Sequence, residues 1–435
     1  MERAVRNDLG KLSTVVAERI GSELAEEHIR LRRLGGAAWT PDEELLFAQT
    51  VAMNESIRVS NSFIAEGRSA LSVVEQETLT TMAVAQVLGL GRLQLLMDDE
   101  EISDIHVKGN APVWVKLRNG VREERPPVVD TDEELIDLIR RAATRLGRAE
   151  RRFDSASPEL NLQLPDGSRL FAAMEVSLRP MLVIRKHQFS MSRLTELQLR
   201  GLCDHTTASF LAAAVRSKRN IIVCGGTGSG KTTLLRALIN EVARFERIVT
   251  IEDAYELGID RFGDLHPDHD ALQARPANIE GHGEITLADL TRMALRMDPD
   301  RVIVGEVRGA EAFPMLLAMS QGNNGSMCTM HADSARSVFP KLAAYVSMAS
   351  TGLPVETINT LVASAVHFVV HIELIEGVRR IKSILEVVDA EGPTIISNEV
   401  FSWAQSGRTR PYSSLRQASR DLLREHGFDS VGLTS

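Results

Sequence analysis

The sequence predicts an α/β protein with a parallel-core sheet in its second half, behind a small α+β region and an all-helical start. Three observations predict it. Apolar strand-length stretches at 220–224, 248–257, 301–305 and 325–332 alternate with helical patterns, the order that a parallel sheet requires. The first of them runs through Gly225-Gly226-Thr227-Gly228-Ser229-Gly230-Lys231-Thr232 into a helix, a strand–loop–helix setting. Residues 1–88 show helical spacing and no strand signal. At 435 residues the chain exceeds what one hydrophobic core organises, so two or three domains are expected. The expected divisions are a helical region at 1–88, an α+β domain at 89–190, a linker at 191–206, an α/β domain at 207–402 and a tail at 403–435.

Taken in order, Leu9, Leu12, Val16, Ile20 and Leu24 recur at near-helical spacing. Pro41 followed by Asp42, Glu43 and Glu44 marks a second helix start, because proline suits the first turn and acids complement its dipole. A third pattern covers 75–88. Short alternating strands then appear at 102–107 and 112–117, an amphipathic helix at 132–146, and strands at 160–164, 169–174 and 182–186. Pro165-Asp166-Gly167 is a turn that joins two of these as a hairpin. A connecting helix at 207–215 leads to the strand at 220–224, and a helix at 233–242 follows the glycine-rich loop. Strands at 366–375 and 378–389 turn at Glu376-Gly377, and the last ~30 residues read as a weak helix with a poorly ordered tail.

Composition narrows the class. With 43% hydrophobic and 25% charged residues the chain is globular, and its net charge of −9 and 4% aromatic content argue against a nucleic-acid binder that works by a basic surface or base stacking. Cys203, Cys224 and Cys328 are scattered, with no C-x-x-C pair, so neither a disulfide framework nor a zinc site is expected, in keeping with a reducing, cytoplasmic setting. The first residues are charged throughout, unlike a signal peptide, and no apolar run reaches the ~20 residues that span a bilayer. Membrane association, where it occurs, is expected to be peripheral.

Residues 225–232 fit G-x-x-x-x-G-K-[ST], whose glycines let backbone N–H groups wrap around nucleotide phosphates. Lys231 then meets the β- and γ-phosphates, Thr232 ligates Mg²⁺, and Thr233 begins the helix. The strand at 248–257 ends in Glu252, Asp253 and Glu256, and ligands gather at the carboxyl ends of parallel strands, so Glu252 and Glu256 are candidates to orient or deprotonate an attacking water. In the stretch 301–309 four apolar residues in a row, Val302 to Gly305, indicate a strand buried on both faces whose end places Glu306 beside the loop, ready to hold Mg²⁺ through water or polarise the nucleophile. Arg308 is expected to pair with Glu306 or with another subunit. A strand of small residues at 325–332 ends in His331.

This ordered set resembles the secretion-type ATPase superfamily, which serves type II and type IV secretion, type IV pili and archaeal filaments. Its Walker A, Asp, Walker B and His boxes correspond to 225–232, 250–257, 302–306 and 325–332. The stretches 164–169, 184–186, 275–281 and 294–297 are similar in particular to the branch that assembles tight-adherence (Tad/Flp) pili. The resemblance covers about 88–388 and implies a RecA-like ATPase domain behind a PAS-like domain. It implies a homo-hexamer that uses ATP and Mg²⁺ and docks on a polytopic inner-membrane platform. Carried over by residue, it makes Glu256 the base, Glu306 the organiser of metal and water, and His331 the γ-phosphate sensor, with Arg169, Arg185 and Arg296 as phosphate-facing arginines. Two departures stand out. The stretch before the His box reads Ser320-Gln321-Gly322-Asn323-Asn324, without the family's early histidine, and no C-x-x-C insert is present, unlike zinc-bearing type II and pilus-extension ATPases. A type IV secretion or conjugation ATPase of the same superfamily and a low-turnover nucleotide-gated scaffold stay open as alternatives.

Overall fold

The structure is a computed structural model and describes residues 2–34, 39–146, 152–164, 166–186, 192–278, 281–404, 408–411 and 413–429. Pro165, Ile279, Glu280 and the end of the tail therefore lie outside the described residues. Two compact units emerge, Met1–Gln188 and Phe189–Ser435.

The first unit opens with three helices, α1 (Glu2–Arg33), α2 (Pro41–Ala65) and α3 (Val73–Leu88). Thr40 and Ser72 start α2 and α3 with reciprocal caps: each side chain accepts the backbone N–H three residues on, and Glu43 and Glu75 reach back to the capping residues. Ile20, Ala48, Leu79 and Ala83 are buried where the three helices meet. Six strands follow: β1 (Ile102–Lys108), β2 (Val113–Leu117), β3 (Arg122–Arg125), β4 (Glu159–Gln163), β5 (Arg169–Ala173) and β6 (Met181–Arg185). They form one antiparallel sheet in the order β3-β2-β1-β6-β5-β4. Leu135, Leu138 and Ile139 of the helix Asp132–Leu146 share a core with inward residues of the sheet such as Ile105, Leu170 and Ile184. β3 lies outside the sequence expectation, because Arg-Glu-Glu-Arg at a sheet edge carries no apolar alternation.

The second unit carries β7 (Ile221–Gly225), β8 (Ile248–Glu252), β9 (His269–Gln273), β10 (Arg301–Val307), β11 (Met327–His331), β12 (Phe368–Ile375), β13 (Val378–Glu391), β14 (Thr394–Ala404) and β15 (Arg408–Pro411). Their order is β15-β14-β13-β12-β7-β11-β10-β8-β9. The strands from β12 to β9 all run parallel, and β13, β14 and β15 extend the sheet antiparallel. This is the RecA-like, parallel-core α/β fold that the sequence leads one to expect. Along β7 the pleat sends Ile221 and Val223 into one apolar layer and Ile222 and Cys224 into the other, so both faces are covered by helices. All three cysteines are buried and unpaired.

In the C-terminal segment the expected helix is present as Gln417–Glu425, while β14 and β15 lie outside the sequence expectation, and Leu415, Leu423 and Phe428 enter the core, Phe428 against Phe210 at 5.5 Å between ring centroids. Among the described residues no helix is long and apolar enough to cross a membrane.

Candidate nucleotide site

β7 delivers the glycine-rich loop to the carboxyl edge of the parallel sheet, and the helix Lys231–Ile239 leaves from it. Gly226, Thr227 and Gly228 are exposed, while Thr232 and Thr233 are half-buried at the start of the helix. Gly228 (φ 73°) and Gly230 (φ 99°) take left-handed conformations, which free their N–H groups from helix-like directions at no steric cost. Gly225 has a different reason to be glycine: a Cβ there would stand 2.3 Å from the Ile372 carbonyl oxygen.

Lys231 is 7% exposed. Its Nζ donates to the carbonyls of Gly225 (3.2 Å) and Gly226 (3.0 Å) and stands 3.4 Å from His331 Nδ1. Burial draws this ammonium below the usual lysine range, opposed by the charges of Glu306 and Glu256. β11 pairs with β7 so that His331 lies opposite Gly225, and β10 pairs with β11, which sets Glu306 next to the same edge. His331 Nε2 then meets Glu306 Oε1 at 3.0 Å. An ammonium can only donate, so a hydrogen bond from Lys231 would be received at Nδ1, on the far side of the ring from Glu306. Lys231, His331 and Glu306, from three separate elements, thus form one chain of polar contacts beneath the loop.

Glu252 and Glu256 take different positions. Glu252 is 3% exposed, and its Oε2 accepts the N–H groups of Glu256 and Leu257, both at 2.8 Å. Burial pushes its carboxyl up to about 7, against those two hydrogen bonds. It closes the turn after β8, and Gly305 leaves it room, since a Cβ there would lie 3.1 Å from Glu252 Cγ. Glu256 is half-buried, with its N–H on Glu252 and its carbonyl accepting from Arg236 Nη2 at 2.6 Å. That leaves Glu256 as the more accessible carboxylate of the two.

Arg308 pairs with Asp253 at 2.8 Å and not with Glu306, because the strand end turns it toward β8 while Glu306 faces β11. Arg296 is exposed just past the helix Leu287–Ala294, outside the cluster around Lys231. Arg169 and Arg185 are direct cross-strand neighbours on β5 and β6 of the first unit. Sequence reasoning missed Arg379, whose Nε donates to the Gly228 carbonyl at 3.1 Å. It follows a recognisable hairpin turn, but no local signal tells which loop the hairpin touches.

The arrangement fits an anionic nucleotide. Lysine turned onto carbonyls has a better partner in a phosphate, and the buried Ser229 Oγ has no hydrogen-bond partner among the described residues.

Comparison with known proteins agrees in kind. The family model described as "Type II/IV secretion system protein" matches residues 89–421. A "Putative conjugal transfer protein" of Mycobacterium tuberculosis is 36% identical over 330 residues, 73% of this chain and 90% of that protein. The type IV secretion system protein VirB11 of Brucella suis is 30% identical over 333 residues, 69% of this chain and 89% of its own length. Among solved structures, the Legionella pneumophila ATPase DotB aligns with a TM-score of 0.50 at 18% identity, covering 68% of this chain and 79% of DotB, which shows a shared fold.

Proposed function

We propose, from the premise that the chain belongs to the type II/IV secretion system protein family, that it hydrolyses ATP to drive a secretion or filament machine at a membrane. The observation that carries this is the convergence of Lys231, His331 and Glu306 under a phosphate-ready loop. Lys231 exchanges the carbonyls of Gly225 and Gly226 for the β- and γ-phosphates, and the loop amides take the remaining phosphate oxygens. Thr232 and Glu306 would hold Mg²⁺, which neutralises phosphate charge. Glu256 receives the proton of the attacking water. When Lys231 turns away, His331 Nδ1 loses its donor, and the imidazole is free to report on the γ-phosphate. Arg169 and Arg185 are carried over as phosphate-facing arginines by the resemblance alone, and Arg296, carried over with them, stands outside the cluster around Lys231.

In the finer reading the chain works as a homo-hexamer, peripheral at the cytoplasmic face, on a polytopic platform that assembles Tad/Flp pili. The stretches at 275–281 and 294–297 favour it. A conjugation or type IV secretion machine is the second reading, favoured by the names of the two relatives above.

ATP turnover by the full chain, against Lys231→Ala, tests the core of this. Turnover above that control is expected. A rate equal to it would mean a nucleotide-gated scaffold. Affinity capture of the full chain from membranes is expected to recover an integral membrane platform protein, and salt-sensitive DNA binding would favour the conjugation reading.

A further inference from the structure

The hairpin β12–β13 touches the glycine-rich loop at three points. Its strand β12 pairs with β7 so that Ile372 lies opposite Gly225, and the Ile372 carbonyl fills the space a Cβ on Gly225 would need. A register irregularity between His371 and Ile372 falls at that contact. Past the turn, Arg379 crosses back: its Nε donates to the Gly228 carbonyl, and its Cδ lies where a Cβ on Gly230 would come within 2.9 Å. The loop glycines therefore make room for the hairpin as well as for a ligand.

We infer that Arg379 is a positioning residue for nucleotide binding, which pins the Gly228–Ser229 peptide so that its N–H faces the phosphate hollow. In a trans peptide the C=O and N–H point in opposite directions, and the chain has no cis peptide bonds among its described residues. Drawing the Gly228 oxygen outward to Arg379 thus turns the Ser229 N–H inward, where it makes a long contact of 3.4 Å to the Gly226 carbonyl across the loop. That weak bond is easily exchanged for a phosphate oxygen. The Ser229 hydroxyl is buried as well and has no hydrogen-bond partner among the described residues. Preorganised donors raise affinity because the ordering cost is met before the ligand arrives. A guanidinium donor suits an exposed site, since it stays charged at every working pH and its hydrogen bond to a carbonyl is charge-assisted. The neighbouring Arg380 points elsewhere, donating to the Gly201 carbonyl at 3.2 Å and lying over Trp403 at 4.7 Å.

The inference rests on the proposed nucleotide site, and the test separates the two. Binding of a fluorescent ATP analogue with Mg²⁺ to the full chain, competed by ADP and by inorganic tripolyphosphate, is compared for wild type, Arg379→Ala, Arg379→Lys and Arg380→Ala. Arg379→Ala is expected to weaken all three ligands by a common factor of about five, the scale of one hydrogen bond. Turnover at saturating ATP should stay near wild type, which gives a change in KM without one in kcat. Arg379→Lys should recover most of the affinity, Arg380→Ala should lose none, and amide exchange over 225–232 in the nucleotide-free protein should speed up only in Arg379→Ala. Unchanged affinity in Arg379→Ala overturns the inference. So does a loss for ATP without one for tripolyphosphate, which would mean a contact to base or ribose. A wild-type protein that binds no nucleotide would overturn the site itself.

Discussion

Replacing Glu246 with alanine strands a buried charge, and its cost can be worked from the structure. Arg301 is 0% exposed, and its Nε and Nη2 donate to the two Glu246 oxygens at 2.9 Å each. Nη1 donates to the carbonyls of Val215 (2.9 Å) and Gly325 (3.4 Å), which satisfy hydrogen bonds without cancelling charge. Lys218 also touches Glu246, but keeps Asp300 at 3.2 Å. Breaking a buried pair from one side costs about 3–5 kcal/mol. Each kcal/mol moves the midpoint of a domain this size by about 2–4 °C, so a fall of roughly 6–20 °C is expected. Thermal and urea unfolding of the full chain, followed by circular dichroism, reads the loss. Glu246→Leu with Arg301→Met should recover most of it, because an apolar pair carries no desolvation penalty. Arg301 opens the strand that carries Glu306, roughly 17 Å away at the usual strand rise, so ATP turnover well below the midpoint should stay close to wild type. A loss under about 1 kcal/mol would refute the reasoning, because it would mean the guanidinium reaches water.

Glu252→Gln should change the pH dependence of stability in a defined direction. With its carboxyl near 7 in the fold against an ordinary 4.5, Glu252 keeps a proton that the unfolded chain has lost, so its contribution declines as pH rises from about 4.5 to 7. The glutamine variant should show a flatter decline over that window in urea midpoints, and identical slopes would contradict the burial argument. Gly225→Ala should abolish binding of a fluorescent ATP analogue, because the new methyl meets the backbone of β12 at 2.3 Å and not a flexible side chain. Phe428→Ala should cost about 3–5 kcal/mol in urea unfolding, since the ring is buried against Phe210; a loss below about 1 kcal/mol would mean that the C-terminal segment does not share the core.

Much of the fold is legible because its signals are local. The four apolar strands that build the centre of the sheet, the glycine-rich loop and the Glu376-Gly377 turn can each be read within about ten residues. β9 is not readable, since His269 to Gln273 is half-buried at a sheet edge and lacks alternation. β14 and the core position of Phe428 escape a local reading because Phe401 and Phe428 pack on Phe210, distant in sequence. The site divides the same way. Lys231, Glu306 and His331 stand at strand or helix ends, so a parallel register brings them to one edge. Glu252 and Glu256 look alike in sequence, and only the turn after β8 decides which carboxylate is buried. Arg308 pairs with Asp253 because charge alone does not choose between nearby partners. Arg379 depends on the hairpin meeting the loop 151 residues earlier, a separation no sequence pattern encodes.

The central claim is that Lys231, His331 and Glu306 act as one unit on ATP. Single-turnover hydrolysis by wild type, Glu306→Gln, His331→Ala and the double variant tests it most directly, at matched nucleotide occupancy. Because residues of one unit are strongly non-additive, the double variant should be no slower than the slower single. Losses that multiply would contradict the account, because they would show two groups acting independently.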